Sequence, residues 1–181
     1  MKTIGIINGS TRTNSYSGQI INNLVGLISE DYKIKHIQIN DLPLYSQDYD
    51  TLAPTPKEYE RLRKEVLDVD AIIFVTPEHN RSISAALKNA LDIGSRPPGN
   101  NVWAKKPALI IAQSPGQIGG FGAAQALKQI LHFFNMRVMN TPEVYIARSA
   151  SLLDENGKII NESTLNFLSD VLNSFLVFIN E

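Results

Sequence analysis

Two polar loops, each following an apolar run, carry the residue types best suited to chemistry. The first is residues 9–17, GSTRTNSYS, which follows the apolar run 3–7; the second is residues 76–80, TPEHN, which follows the apolar run 71–75. In a parallel α/β sheet, loops at the carboxyl ends of neighbouring strands converge on one crevice, and ligands bind there. We therefore expect the two loops to build one site.

The composition of the first loop favours a phosphate. Its serine and threonine hydroxyls are hydrogen-bond donors, and the Arg12 guanidinium adds a fixed positive charge. A helix beginning here would add backbone N–H groups at its first turn. A pyrophosphate requires the spaced glycines of G-x-G-x-x-G, but only Gly9 precedes Gly18, and the chain has no G-x-x-x-x-G-K-[ST] run for a nucleoside triphosphate. The loop predicts a mononucleotide or sugar phosphate; the alternative is that its polar residues only cap a helix.

The second loop combines different chemical groups. Pro77 cannot donate to a sheet ladder and so marks the end of a strand, and Glu78, His79 and Asn80 then supply an acid, a planar ring and an amide. Such a set suits a flat heteroaromatic ligand. The alternative interpretation is that His79 is an ordinary exposed loop histidine.

A glycine-rich third loop follows the fourth predicted strand and opens a helix. It is residues 114–122, SPGQIGGFG. Glycine permits backbone conformations closed to other residues and lets a ligand or another chain approach closely, although a flexible turn explains the cluster equally well. The position of this loop beside the other two, at the same sheet edge, favours a role in the site.

Composition limits the class of protein. A chain of 181 residues with 43% hydrophobic content can bury one core, which predicts a single domain over residues 1–181. A formal charge of -1 gives no reason to expect nucleic acid or an anionic membrane as a partner. The absence of cysteine excludes thiolate catalysis and cysteine-ligated metals, so any redox chemistry requires a bound cofactor. The three histidines lie on different predicted elements, which argues against a zinc site.

The N-terminus enters a strand pattern directly, which argues against a signal peptide, and no apolar stretch is long enough to cross a bilayer. We therefore expect a cytoplasmic protein.

Strand and helix patterns alternate along the chain. The near-continuous apolar character of the first, third and fourth strands predicts burial on both faces, as in a parallel sheet covered by helices. A phosphate loop after the first strand and a site loop after the third fit a flavodoxin-like, doubly wound, five-stranded sheet of order 2-1-3-4-5. The predicted strands are 3–8, 33–39, 71–76, 108–113 and a broken pair, 137–139 and 144–147; the predicted helices are 17–29, 56–68, 84–95, 120–134 and 163–180; residues 42–56 read as an ordered irregular connection.

These residues also resemble a known family. GSTRTNSYS is similar to the GSLRxGSxN phosphate loop of the NADPH-dependent FMN reductases, a flavodoxin-like group that includes quinone, azo-dye and chromate reductases. Residues 76–96, TPEHNRSISAALKNALDIGSR, resemble that family's PEYNxSxPxxLKNAIDWxSR segment, and residues 114–120 continue the likeness. The resemblance spans about two-thirds of the chain. Three positions depart from it: His79 replaces the usual Tyr, Ser17 the usual Asn, and Ile93 the frequent Trp.

The resemblance implies FMN as the cofactor and NADPH or NADH as the electron donor. It also implies a homodimer, or a tetramer made of two dimers, in which the helix containing Lys88 and Asn89 contributes to the interface. Glu78 is expected to order its loop or to bind across that interface, not to act as a general base. The implied phosphate ligands are Ser10, Arg12, Ser15, Tyr16 and Ser17; Pro77, Glu78, His79 and Asn80 would border the isoalloxazine, and Ser114, Gly116 and Gln117 would lie near its other edge.

The implied activity is oxidoreduction in two half-reactions. Hydride would pass from NAD(P)H through bound FMN to a quinone, azo compound, free flavin or metal oxyanion in a ping-pong scheme. No protein residue is expected to be catalytic, because the cofactor carries the chemistry while the protein supplies orientation and electrostatics. The alternatives are a flavodoxin-like electron carrier and a non-enzymatic FMN-binding sensor.

Overall fold

A parallel β-sheet forms the centre of the structure, a computed structural model that describes residues 1–181. Its order is β2-β1-β3-β4-β5, with β6 also paired to β4, and every pair is parallel. This is the flavodoxin-like order predicted from the sequence. The strands are β1 Thr3–Asn8, β2 Lys33–Ile37, β3 Ala71–Pro77, β4 Pro107–Gln113, β5 Arg137–Val138 and β6 Val144–Ile146.

The fifth strand position is divided, as the broken sequence pattern predicted. β5 pairs with the first two residues of β4, Pro107 and Ala108, and β6 pairs with its last three, residues 111–113. Pro142 lies between the two pieces and has no N–H to donate to a ladder, which accounts for the break.

Helices cover both faces of the sheet. Short polar side chains cap three of them: Ser15 accepts the N–H of Gly18 at α1, Ser84 that of Leu87 at α4, and Asn161 that of Thr164 at α7. The helices are α1 Tyr16–Val25, α2 Asp48–Thr51, α3 Lys57–Leu67, α4 Ala85–Gly94, α5 Phe121–Phe133, α6 Ser149–Leu152 and α7 Glu162–Phe178. None of them combines the length and apolarity needed to span a bilayer.

Alternate residues of the central strands feed two separate cores. Ile72 and Phe74 of β3 belong to a cluster shared with α3, α4 and α5, whereas Ile73 and Val75 belong to a second cluster shared with α1 and α7. All seven residues of β3 are buried. The strand is therefore covered on both faces, which explains its continuous apolar sequence.

The structure corrects the predicted elements in the connection before α3. β2 ends at Ile37, two residues earlier than predicted, and the next N–H, of Gln38, lies 3.4 Å from the Glu65 carboxylate. The segment 42–56, predicted to be irregular, contains the short helix α2. Asp50 of α2 accepts hydrogen bonds from the Tyr45 hydroxyl (3.0 Å) and from the Arg96 Nε (2.8 Å); the second is a long-range contact that the local sequence pattern does not reveal.

Candidate functional site

The loop between β1 and α1 is shaped from within by two side chains. Asn8 accepts the Ser10 N–H at 3.0 Å, and its amide nitrogen lies 3.4 Å from the Ser15 hydroxyl, which in turn accepts the Gly18 N–H at 3.1 Å. Ser15 is only 3% exposed. The loop is thus held in one shape by Asn8 and by the cap of α1.

The surface of this loop carries an uncompensated positive charge. Arg12 is exposed, forms no salt bridge, and holds its guanidinium carbon 5.1 Å from the centre of the Tyr16 ring. The loop leads directly into the ten-residue helix α1, whose first N–H groups have no partner one turn earlier in the helix. An exposed guanidinium without a carboxylate partner, loop hydroxyls and a helix N-terminus form a donor set that fits a phosphate.

Two clefts flank the loop on the side of β2. Their volumes are about 450 Å³ and about 260 Å³, and Asn8, Arg12 and His36 line both of them. A third cavity, of about 460 Å³, lies between α3 and the segment that contains α2, and it shares no lining residue with the three loops. The two clefts are lined by the first loop and its neighbours in β1, α1 and β2 and include no residue of the second or third loop, so they mark only the end of the candidate site that lies at the first loop.

The loop after β3 forms a tight turn. His79 and Ser82 exchange backbone hydrogen bonds of 2.8 Å and 2.9 Å, while Asn80 and Arg81 between them have φ of 50° and 69°. Two consecutive residues with positive φ are the signature of a type I′ turn. The turn leaves His79 and Asn80 exposed.

Glu78 fastens this turn to the start of α5. Its side chain is 12% exposed; Oε2 lies 3.3 Å from the Ala123 nitrogen in the first turn of α5, and Oε1 lies 3.3 Å from Arg81 Nη1. An acid is favourable at a helix N-terminus because of the helix dipole. A Cβ at Gly122 would lie 2.9 Å from the Arg81 carbonyl oxygen, so this contact requires glycine.

The glycine-rich third loop is strapped to the chain that follows β6. The Arg148 N–H donates to the Gly116 carbonyl at 3.0 Å, and the Ser149 N–H donates to the Ser114 carbonyl at 3.1 Å. The Ser114 hydroxyl also accepts the Gly116 N–H at 3.1 Å. Gly116 and Gln117 remain exposed. The loop is therefore a fixed wall with an accessible rim.

Hydrogen bonds join the first loop and the start of α1 to residues that flank the second and third loops. The Gly9 N–H donates to the Val75 carbonyl at 2.8 Å, and the Ser84 hydroxyl donates to the Gly9 carbonyl, which joins the first loop to the second. Gln113, the last residue of β4, donates from Nε2 to the Ser17 hydroxyl at 2.9 Å, which joins the first loop to the third. The Ser149 hydroxyl completes the chain by donating to Gln113 Oε1 at 2.7 Å.

The predicted site residues fall into a buried group and an accessible group. Ser15, Ser17 and Pro77 are buried among other parts of the chain. Their predicted contacts with FMN stay predictions, as do those of all the other site residues. The remaining predicted residues are exposed or partly exposed at the same sheet edge: Ser10, Arg12, Tyr16, Glu78, His79, Asn80, Ser114, Gly116 and Gln117.

Four residues that shape the site were not predicted from the sequence. Ser84 had a usable signal, because a serine at the start of a helix pattern is a frequent cap. Gln113 had a weaker one, a polar residue closing an apolar strand. Asn8 had a local signal too, since asparagine side chains often bond the N–H two residues along the chain, whereas Ser149 acts through a partner 36 residues away that no local pattern identifies.

Comparison with known proteins identifies the class. The model of the NADPH-dependent FMN reductase family matches residues 1–151. A quinone reductase of Pseudomonas putida is 43% identical over 173 residues, which cover 96% of this chain and 92% of that protein. A 2-hydroxy-1,4-benzoquinone reductase of a Burkholderia species is 36% identical over 98% of this chain and 96% of its own length.

A solved structure agrees with these sequence relatives. FerB, a flavoenzyme NAD(P)H:(acceptor) oxidoreductase from Paracoccus denitrificans, superposes with a TM-score of 0.91 at 34% identity, covering 99% of this chain and 98% of that one. The chain belongs to the NADPH-dependent FMN reductase family. It is an oxidoreductase that uses FMN as cofactor and NAD(P)H as electron donor.

Proposed function

We propose that the protein is an NAD(P)H:quinone oxidoreductase whose donor and acceptor use the same crevice in turn. The observation that carries the proposal is the junction of three loops at one sheet edge, with exposed groups of the second and third loops at its rim. Relatives that are quinone reductases and align over nearly their whole length support a quinone as the acceptor.

The residues around the crevice have separable roles in this proposal. Arg12, Ser10 and Tyr16 hold the FMN phosphate at the start of α1. Ser15 and Ser17 act from beneath by fixing the loop. Residues 77–80 of the second loop would border the flavin ring on one side, and Ser114, Gly116 and Gln117 of the third loop would lie near its other edge.

In this scheme the chain's own groups bind and orient FMN and its substrates. FMN, when bound, supplies the hydride-accepting and hydride-donating chemistry. Glu78 is not the general base, because its carboxylate is engaged by the Ala123 N–H and by Arg81. Its role is to hold the second loop at a fixed distance from the third.

Steady-state kinetics test the shared crevice. If the oxidised nucleotide, NAD(P)+, must leave before the quinone binds, initial rates measured at several fixed quinone concentrations give parallel double-reciprocal lines, the signature of a ping-pong scheme. Intersecting lines would require both substrates to be bound together and would overturn the shared site while leaving the reductase activity intact.

We also propose that the working form is a homo-oligomer built on a two-fold dimer, with residues 80–96 contributing to the interface. The apolar positions Leu87 and Leu91 of α4 are buried in this chain's own core, so the interface would use the exposed face of α4. The segment beside it supports this choice: the Tyr45 N–H donates to Asn89 Oδ1 at 2.8 Å, and the neighbouring Leu44 is 81% exposed. Closed two-fold symmetry is the common arrangement for such assemblies.

A further inference from the structure

We propose that Gln113 is a positioning residue that couples the phosphate loop to the loop beside the flavin ring. It is not expected to touch the cofactor. The inference rests on the proposed function and deepens it, because it names a residue that positions the loops of the same site for cofactor binding.

The first observation is the burial of a continuous polar chain. Ser17, Gln113 and Ser149 are 0%, 3% and 0% exposed, yet their side chains are linked by hydrogen bonds of 2.9 Å and 2.7 Å. Buried polar groups are expensive unless they are satisfied, and a satisfied network fixes one arrangement of the elements that carry it. The arrangement fixed here is the height and direction of α1 relative to the end of β4.

The second observation is the position of each end of this chain. Ser17 stands in the first turn of α1, directly after Arg12 and the other proposed phosphate ligands, and faces inward to the sheet. Ser149 begins α6, and its own N–H holds the Ser114 carbonyl of the third loop. A movement at either end therefore reaches the other through a single side chain.

The third observation is that a primary amide suits this place chemically. Gln113 donates to Ser17 and accepts from Ser149 at the same time, a pair of bonds that a glutamine side chain can make and an ionised carboxylate or a thioether cannot.

The test uses small substitutions at the two ends, because deleting one hydroxyl leaves the fold intact. Dissociation constants for FMN and riboflavin are measured for the wild type, Ser17→Ala, Ser149→Ala and the double variant. Ser149 forms no hydrogen bond with the phosphate loop, and its hydroxyl is linked to that loop through Gln113. We nevertheless expect Ser149→Ala to lower the preference for FMN over riboflavin by roughly threefold to tenfold, the effect of one lost neutral hydrogen bond.

The double variant distinguishes coupling from two independent effects. If the serines act through one side chain, the loss of FMN preference in the double variant is smaller than the product of the two single losses. Gln113→Met should reproduce the double variant, and the visible spectrum of its bound FMN should differ from that of the wild type, because the third loop shifts against the ring. Ser151→Ala is the matched control, since its hydroxyl, in the same short helix, contacts only the Arg148 carbonyl.

Three outcomes would overturn the coupling: an unchanged FMN preference in Ser149→Ala, strictly multiplicative effects of the two serines, or a Gln113→Met variant that loses thermal stability but binds FMN with wild-type selectivity and spectrum. Failure of the proposed function is a separate result. It would appear as a wild type that binds FMN yet fails to reduce quinones, and it would leave the binding cycle measurable.

Discussion

At the scale of the residue, the charge of Arg12 is the feature of the site that a single substitution tests most directly. The guanidinium lies over the Tyr16 ring and has no carboxylate partner. Replacing Arg12 with Ala should weaken FMN much more than riboflavin, because only FMN carries a charged phosphate. The expected loss for FMN is about 1.5–3 kcal/mol, the range for a hydrogen bond to a charged group. Isothermal titration with both flavins measures the difference.

Arg137 provides a matched control for this substitution. Its guanidinium also stacks on an aromatic ring, that of Phe178, with 4.9 Å between the guanidinium carbon and the ring centre, but it lies on β5 away from the three loops. Arg137→Ala should leave both affinities unchanged. Equal weakening of FMN and riboflavin by Arg12→Ala would show that the loop does not read the phosphate.

Residue-scale prediction from the sequence succeeded where the cause was local. The helices predicted to begin at residues 17 and 84 begin within one residue of those positions, at Tyr16 and Ala85. Gln113 lies outside such reasoning because its partner Ser17 is 96 residues away, and only the sheet order brings them together. Ser17 looked like one more loop hydroxyl, whereas in the structure it faces the core.

At the scale of the element, the third loop depends on close backbone approach. Gly120 has φ of 84°, and a Cβ there would lie 2.9 Å from the Gln113 nitrogen. Gly120→Ala should destabilise the protein by more than 1 kcal/mol, since a left-handed alanine costs roughly 1–2 kcal/mol before any steric clash. It should also weaken FMN binding, because Gln113 is displaced. Urea unfolding gives the stability change, and flavin fluorescence gives the affinity.

Gly99 separates the backbone cost from the steric cost. It has the same φ of 84°, but a Cβ there would meet no atom within 4 Å. Gly99→Ala should therefore show the backbone cost alone and leave FMN affinity unchanged. If the two variants lose equal stability and Gly120→Ala binds FMN with wild-type affinity, the close backbone approach at the third loop contributes nothing to FMN binding.

The helix α3 contributes a pH-dependent part of the stability. Burial, with smaller contributions from Tyr49, Tyr45 and Asp50, raises the pKa of Tyr59 from 10.0 to about 12. Between these values the unfolded chain has lost the phenol proton while the folded chain keeps it, so the free energy of unfolding falls as pH rises from about 10 to about 12. Tyr59→Phe should show a smaller fall, by up to about 1.4 kcal/mol for each unit of pKa change.

Urea unfolding of both proteins at pH 9 and at the alkaline end of this range measures the effect. Other tyrosines and lysines titrate in both proteins, so the comparison isolates Tyr59. An identical fall in the two proteins would mean that the Tyr59 hydroxyl, which donates to the Pro43 carbonyl at 3.2 Å, ionises equally in the folded and unfolded chains.

Element prediction from the sequence was accurate for the sheet because period and burial agree there. β1 begins and ends at the predicted residues, and β3 and β4 each differ by one residue. The segment 42–56 was harder to predict, because its shape depends on residues more than 40 positions away. Arg96, which follows α4, binds Asp50 of α2, and Asn89 of α4 accepts the N–H of Tyr45. A helix of four residues is also too short to show a helical period in its sequence.

At the scale of the whole molecule, the proposed two-fold dimer would bury the exposed apolar surface beside α4. Light scattering of the FMN-loaded protein at micromolar concentration should give two or four times the 20.1 kDa chain mass. Leu44→Lys, at an 81% exposed position, should shift the population to smaller species and lower quinone reduction with it.

Val177 supplies the control for this change. It is 62% exposed on α7, which packs on the other face of the sheet, so Val177→Lys should leave the mass unchanged. A wild-type monomer with full NADPH-dependent quinone reduction would contradict the dimer while leaving the cofactor assignment intact.

The central claim is that one crevice passes electrons from NAD(P)H through FMN to a quinone. The most direct measurement is the visible absorption of the FMN-loaded protein under anaerobic conditions, first with one equivalent of NADPH and then, after removal of the nucleotide, with a quinone. The account predicts that the oxidised-flavin absorption is lost at the first step and restored at the second. An oxidised-flavin absorption that persists in the presence of both NADPH and NADH would contradict it and would point to an electron carrier or a flavin-binding sensor.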